Sequence, residues 1–415
     1  MPINSNAGVS PSSYSRVILV TCFLTLMIVY GAQYSFGVFF KPVLTELGCT
    51  RSAIAGAYSL NLILTAVCNI FAGKLCDRFG PRLVVTVSGL FLSCGYLLMS
   101  QVTAIWEIYL IYGVILGVGI AGIYIPLMST VVRWFLIRRG LASGIVSAGI
   151  GVGLVMGPPL ASFLISNFQW RISYMVMGLI SLAIPAIFAQ LLKREQSRGR
   201  QVISAPQEAQ DERPNLIMQG LSLQQAIRIP QFWMISAMFL IFNFSLQTVM
   251  VHLVAYATDT GISLNIAATI ISTIGITSII SKVGMGSALD RIRSKPLLTI
   301  VCIVLLMSFL LLLWNSSLPA LYFFAIIFAV GYGGFATAQS PAIAEYFGLR
   351  EHGTIFGVAL SIATLGSACG PYIAGYIYDT TSSYNLDFMI CSILLAIGII
   401  ISVLLKPSRH EKVNK

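Results

Sequence analysis

The feature that most constrains this chain is a succession of apolar runs of one length. From Val17 onward roughly a dozen stretches of about 20 mostly apolar residues follow one another, and about 20 is what a helix needs to cross the hydrocarbon core of a bilayer. Only 9% of the 415 residues are charged, whereas a soluble domain carries roughly 25%. Too few charges remain to cover a surface in water, so the chain reads as an integral membrane protein.

Hydropathy and helix breakers predict spans over 17–45, 52–76, 83–101, 105–130, 140–166, 171–192, 231–258, 265–288, 297–315, 319–346, 353–380 and 385–406. The first run is too long for a signal peptide and has no clear cleavage site, so it is expected to stay as helix 1. The segment 193–229 is polar, rich in Arg, Gln, Glu and Pro, and is the one long linker. The expected fold class is an all-α membrane protein with 12 transmembrane helices. A bundle of six helices at 1–192 and another at 230–415 flank the cytoplasmic linker.

The net charge of +11 does not point to nucleic acid, because the cations sit in short loops rather than on one face or tail. Of 25 Lys and Arg, 21 fall on one side: Arg16, Lys74, Arg78, Arg82, Arg133, Arg138, Arg139, six in the linker, Arg291, Arg293, Lys295, Arg350 and four in the tail. Lys41, Arg51 and Arg171 fall on the other side. This bias places both termini and the linker in the cytoplasm. Lys282 belongs to neither set. The eight cysteines are scattered without a CxxC pair and read as small packing residues. No metal or cofactor site is expected. An enzyme is not expected either, since paired mid-membrane carboxylates and a Ser/His/Asp set are absent from the sequence.

The halves match at a constant offset of 213. "GKLCDRFGPR" from Gly73 matches "GSALDRIRSK" from Gly286, "GLVMGP" from Gly153 matches "GSACGP" from Gly366, and Gly140 and Gly144 match Gly353 and Gly357. A two-fold repeat of six-helix bundles places a substrate site between the halves, near the bilayer midplane.

With these motifs the chain resembles the major facilitator superfamily over essentially its whole length. Its G-x-x-x-D-R-x-G-x-[RK] loop is intact at Gly73–Arg82 and degraded at Gly286–Lys295. The resemblance implies gating roles for Asp77, Arg78, Asp290 and Arg291 at helix ends, against a plainer reading as solvated turns that set topology. A narrower resemblance is to the monocarboxylate transporter family and its oxalate/formate antiporter relatives. It rests on "RWFLIRRGLASGIVSAGIG" from Arg133, "GAQYSFGVFFKP" in helix 1, and the K-x-x-x-G-x-x-x-D-R spacing from Lys282 to Arg291. The aromatic-acidic element that many eukaryotic members carry before helix 1 is missing, which favours a prokaryotic-type member in the bacterial inner membrane.

"GVGIAG" at Gly117–Gly122 fits a dinucleotide-loop spacing but lies inside an apolar helix, where small residues let helices approach closely. The Gly-Pro pairs at 157–158 and 370–371 resemble the family's hinge element, and as Pro kinks they serve equally as bends. His252, near Asp259, is a candidate proton relay or an interface histidine with a local hydrogen bond. His352 and His410, in expected cytoplasmic segments, suggest nothing specific. Polar residues far from helix ends are Gln33, Tyr34, Asn69, Tyr124, Asn243, Gln247 and Tyr332, and of these Gln33, Tyr34, Asn69, Tyr124 and Tyr332, with Phe335, are the candidate substrate contacts. Resemblance supports Gln33, Tyr34, Tyr124 and Tyr332, which match substrate-lining positions in oxalate-transporting relatives. A buried helix–helix hydrogen bond is the plain alternative for each. Asn69 is the repeat counterpart of Lys282.

Lys282 is the central candidate. A charge inside a membrane helix costs about 2.5–3.5 kcal/mol and usually faces a cavity or a partner. Six residues separate it from the expected end of helix 8, about 9 Å, and a stem of roughly 6 Å offers snorkelling toward the cytoplasm as the competing reading. The charged cluster after it reads as a loop in water. No Asp or Glu lies within a helical turn of Lys282, so a substrate anion is its natural partner. Oxalate-type relatives have a second basic residue in helix 11, where this chain has Ile362, and an aromatic where it has Ile150. One charge and a more aliphatic pocket point to a monocarboxylate with a short apolar tail. Proton-coupled mammalian members place an Asp and a Lys where this chain has Ser278 and Tyr34.

The expected function is secondary active transport of a small monocarboxylate of the lactate/pyruvate type with a proton, by alternating access, in a monomer embedded in the lipid bilayer. Lys282 and His252 are the proton-coupling candidates. Exchange or efflux of another organic anion or drug is the alternative, and a non-transporting sensor is a third, disfavoured by the short linker.

Overall fold

The structure is a computed structural model that describes residues 13–48, 51–135, 138–193, 220–262, 264–315 and 317–406. The described residues are nearly all helical. Eleven helices are long and apolar enough to cross a membrane, and one of them, Arg139–Leu191, runs for 53 residues. Gln169 breaks that run with a φ of 69°, a left-handed backbone that ends one crossing and starts the next. The described helices therefore make twelve crossings, in two pseudo-symmetric sets of six.

The crossings are α1 (Ser13–Tyr34, continued outward over Phe36–Leu47), α2 (Arg51–Phe79), α3 (Pro81–Met99), α4 (Ile105–Trp134), α5 (139–168) and α6 (170–191) in the first half. The second half holds α7 (Pro230–Asp259), α8 (Leu264–Ile292), α9 (Ser294–Trp314), α10 (Leu318–Phe347), α11 (His352–Thr381) and α12 (Asn385–Leu404). Most expected spans reappear with ends moved by a few residues. Helix 1 is interrupted at Ser35, whose hydroxyl donates 2.7 Å back to the Gly31 carbonyl. Helix 8 continues four residues past its expected end, to Ile292, so Asp290 and Arg291 lie in its last turn rather than in a loop. The following reversal is carried by Arg293 at φ 64°, and its repeat counterpart by Gly80 at φ 86°, where glycine adopts the left-handed backbone without a Cβ clash.

Of the linker, 194–219 lies outside the described residues. Its described end is fastened to the second half: Leu221 N donates to Phe347 O at 2.8 Å and Leu223 N to Glu351 Oε2 at 2.8 Å. His410, Cys49 and the basic residues of the tail beyond Lys406 also lie outside the described residues.

The repeat is written into the packing. In the first half α5 crosses α1 where Gly153 faces Met27 and Gly31, and where Gly157 faces Gly31. In the second half α11 crosses α7 where Gly366 faces Leu240 and Gly370 faces Phe244. Each pair maps onto the other by 213 residues. The glycines of "GVGIAG" do the same local job: Gly119 packs on Leu92 and Gly122 on Ser88, both in α3. The eight residues Tyr109–Leu116 of α4 wind as a π-helix, and α2 answers the displaced carbonyls, with Asn61 Nδ2 donating to Tyr112 O at 2.8 Å and Thr65 Oγ1 to Gly117 O at 3.2 Å.

At the end opposite the basic loops, Glu46 ties α1 to α6. Arg171 donates to its carboxylate at 2.8 Å and 3.1 Å, and Trp170 Nε1 also donates to it. These donors hold the Glu46 carboxyl below the usual carboxylate range. A carboxyl lowered by folding stabilises the folded chain above its unfolded pKa and stops doing so as pH falls through its folded value. Thermal unfolding in detergent is therefore expected to show a small loss on acidification that Glu46→Gln removes; the same acid dependence in both proteins is the contrary result.

Candidate functional site

The halves meet at the basic end through glycine and carboxylate. Gly140 of α5 lies on Gly286 of α8, and Gly353 of α11 on Gly73 of α2, so close that a Cβ at any of the four collides with backbone. One turn further in, a Cβ on Gly144 would strike the carbonyl of Lys282, and one on Gly357 the carbonyl of Asn69. The Lys282 and Asn69 positions are thus equivalent in space as they are in sequence.

Each crossing is capped by the repeat's aspartate. Asp77 accepts from Gly353 N at 3.2 Å and Thr354 N at 2.7 Å, the first amides of α11, and from Thr354 Oγ1 at 2.8 Å. Asp290 accepts from Gly140 N at 2.7 Å and Leu141 N at 2.9 Å, the first amides of α5. A helix start offers unpaired N–H groups and a positive dipole end, which is why a carboxylate from the other half seats there. The two are unequal. Asp77 also pairs with Arg133 at 2.6 Å, with side chains only 11% and 18% exposed, and the repeat position of Arg133 is Tyr346. Arg78 and Arg291, the arginines of the two motifs, lie exposed at the surface, with the Arg78 guanidinium 5.1 Å from the Phe79 ring centre. Hydrogen bonds to a charged group are worth about 1.5–3 kcal/mol. Asp77→Asn is therefore expected to open the basic end more than Asp290→Asn, read as faster thiol labelling of a cysteine placed at Ser129. Equal labelling of the two variants and wild type is the contrary result.

His352 closes the same seam and was not distinguished by its sequence context. It is fully buried at the start of α11. Its Nε2 donates to the Ser340 carbonyl of α10 at 3.0 Å, and its Nδ1 lies 3.0 Å from Ser129 Oγ of α4, which donates to it. A side chain of the second half is thereby fixed to the first. The pairing spans 223 residues of sequence, so no local pattern announces it.

Lys282 lies just inside this seal and is fully buried. Ten helical residues separate it from the end of α8 at Ile292, about 15 Å. That is far beyond a lysine's reach, so the snorkelling reading is corrected. The Nζ stays within the bundle, 3.2 Å from the Tyr332 hydroxyl and 4.4 Å from the centre of the Tyr332 ring. Among the described residues no carboxylate lies within ion-pair distance of it. Ser278, one turn outward, spends its hydroxyl on the Gly275 carbonyl at 2.8 Å.

The other candidates fall into two groups. Tyr30, Tyr34 and Tyr124 form an aromatic cluster, with Tyr30 6.0 Å from Tyr34 and 6.3 Å from Tyr124, and Tyr124 6.0 Å from Phe356 of α11. Tyr30 and Tyr34 are near enough to Tyr332 to interact with it electrostatically, so α1, α4 and α10 converge beside Lys282. Tyr30 was missed in the sequence; its spacing of four from Tyr34 puts both on one helix face. Gln33 contributes a buried Oε1 with no donor among the described residues. Phe335 is set otherwise: it stacks on Phe242 at 4.2 Å, and Phe242 in turn stacks with Tyr332. Asn69 is buried at the α2–α11 crossing.

His252 is remote from this group. Its Nε2 donates to the Pro371 carbonyl at 2.9 Å, and its Nδ1 lies 3.2 Å from the Tyr384 hydroxyl. Asp259, named beside it in the sequence, pairs with Tyr378 instead.

The arrangement can do two things chemically. A buried ammonium whose neighbours are phenols rather than carboxylates can receive an anion. A seam made from helix starts and glycine backbone can part without breaking covalent or core structure.

Comparison with known proteins places the family and the fold. The chain is 24% identical over 410 residues to monocarboxylate transporter 12 of Mus musculus, covering 93% of this chain and 84% of that protein. It is 24% identical over 405 residues to the oxalate:formate antiporter of Oxalobacter formigenes, covering 96% and 93%. The solved structure of the proton:xylose symporter XylE superposes with a TM-score of 0.77 at 14% identity, over 96% of this chain and 97% of that one, a likeness of fold. The family model of the Major Facilitator Superfamily matches residues 22–314 and 234–415, and the chain belongs to that superfamily of transporters.

Proposed function

We propose that the chain carries small monocarboxylates of the lactate/pyruvate type, together with a proton, by alternating access across a bacterial inner membrane, with the basic end facing the cytoplasm. The observation that carries the reading is Lys282: a fully buried lysine with a tyrosine and, among the described residues, no carboxylate beside it. An anion supplies the missing charge. A single cation suits one carboxylate, and α11 carries no Lys or Arg to hold a second. The tyrosines of α1, α4 and α10 flank the anion, with Gln33 as an acceptor for a substrate hydroxyl. Similarity to monocarboxylate transporter 12 supports the substrate class. The aspartates Asp77 and Asp290, helped by Arg78 and Arg291, act as the latches of the cytoplasmic gate.

One observation favours a second reading, exchange of one organic anion for another. Ser278 holds no proton-carrying group beside Lys282, and the chain is also similar to an oxalate:formate antiporter. Uptake of radiolabelled lactate, pyruvate, acetate, formate and oxalate into proteoliposomes, with and without a pH gradient, separates these. Gradient-stimulated uptake of lactate or pyruvate is expected. Preference for oxalate overturns the single-carboxylate reading, and brisk counterflow with no response to the gradient selects exchange.

A further inference from the structure

Asp387 presents a problem that the substrate site does not solve. It is fully buried in the first turn of α12, and among the described residues neither carboxylate oxygen has a hydrogen-bond donor. An acid at this position of a helix ordinarily stays ionised by accepting from the free N–H groups of the first turn, and here neither oxygen does. Among the described residues no cation lies beside it either. Helices α7, α11 and α12 contain no Lys or Arg. Lys295 of α9 is committed to the Val403 and Leu405 carbonyls, at the other end of α12.

The face on which Asp387 lies is set by its neighbours. Cys391, one turn along α12, is directed at Ser245 and Thr248 of α7 and is within electrostatic range of Asp387. Thr248 is itself buried. Among the described residues, the titratable side chains packed around this end of α12 are His252 and Tyr256 of α7, Tyr378 of α11, which pairs with Asp259, Tyr384 at the N-cap and Cys391. None of them is a cation in its ordinary state at neutral pH. An ionised carboxylate with neither donors nor a counter-charge is too costly to keep in such a place, and the group takes up a proton instead.

We infer that Asp387 is a proton-binding site, occupied by a proton in this closed-basic-end conformation and emptied when α7 and α12 move in the transport cycle. The His252–Tyr384 pair joins α7 to the start of α12 one turn from it. Because the Pro371 carbonyl can only accept, His252 Nε2 donates to it, and Nδ1 accepts the Tyr384 hydroxyl. His252 is partly exposed, and Tyr384 stands three residues before Asp387 on the same helix, one turn away. The proton enters as H⁺ from water, forms an O–H bond on the carboxylate and leaves as H⁺; no other bond changes.

This inference adds a proton carrier to the proposed symport, and its test has an arm that needs no substrate. Infrared spectra of the purified full chain in liposomes are recorded against pH for wild type and Asp387→Asn. A protonated-carboxylic-acid band present at neutral pH in wild type and absent from the variant is expected; identical spectra in that region overturn the assignment whatever the chain transports. In the second arm, Asp387→Asn keeps counterflow of labelled lactate and loses accumulation driven by a pH gradient. Gradient-driven accumulation equal to wild type, or loss of both modes together, overturns the coupling role.

Discussion

Lys282→Gln is expected to leave a folded, membrane-inserted protein that no longer takes up its anion at useful concentrations. Glutamine is close to lysine in length and can still donate to the Tyr332 hydroxyl, which Lys282 Nζ now meets at 3.2 Å. Charge is what it removes. A hydrogen bond to a charged group in a buried site is worth about 1.5–3 kcal/mol, or about 10- to 150-fold in affinity. Substrate concentration dependence in proteoliposomes checks this, with thermal unfolding as the control. The fold is expected to be as stable as wild type or more so, since the variant keeps a donor to Tyr332 and no longer buries a basic group that, among the described residues, has no carboxylate beside it. Lys282→Arg separates the charge from its shape: a planar fork with the same charge keeps anion binding but holds the carboxylate bidentately. Transport by Lys282→Gln at the wild-type rate and affinity removes Lys282 from the site.

The second large effect belongs to a residue with no side chain. Gly144→Ala is expected to drive the protein out of the closed-basic-end conformation, because the new Cβ would occupy the place of the Lys282 carbonyl. Backbone cannot rotate out of the way as a side chain can. Overpacking of this kind costs about 1–3 kcal/mol, and that is an about 5- to 150-fold change in the ratio of closed to open molecules. Gly357→Ala does the same at the α2–α11 crossing, against Asn69. Pulsed EPR distances between spin labels at the basic ends of α5 and α8 measure the shift, and an unchanged distribution refutes it. Transport falls because one of the two required states is scarcely populated, although neither residue touches the anion through a side chain of its own.

These two positions show what can be read from a sequence of this kind. The spans, the repeat and the capping aspartates were legible because each follows a local rule: hydropathy over a helix length, an offset of 213, a carboxylate at a motif position. Lys282 stood out because a charge in an apolar run breaks such a rule. The residues that escaped obey their local rules. His352 looks like one more polar residue after a loop, Asp387 like an ordinary acid at a helix start, and Tyr30 like one of 17 tyrosines. Their meaning comes from partners far along the chain, such as Ser129 for His352, or from the lack of one, as for Asp387. The break at Gln169 and the π-helical stretch of α4 escaped for a related reason, since both are backbone departures inside sequence that is apolar on either side.

The glycine crossings carry one more consequence, which concerns how often the seal can be made and broken. A gate built of long side chains must freeze their rotamers at every closing, at up to about 2 kcal/mol for each Lys, Arg, Met or Gln. Gly73, Gly140, Gly286 and Gly353 have no rotamers to freeze. At these four positions closing therefore freezes no side chain, and the rotamer entropy lost at the seam falls on the few side chains beside them, Asp77, Arg133, Asp290 and His352.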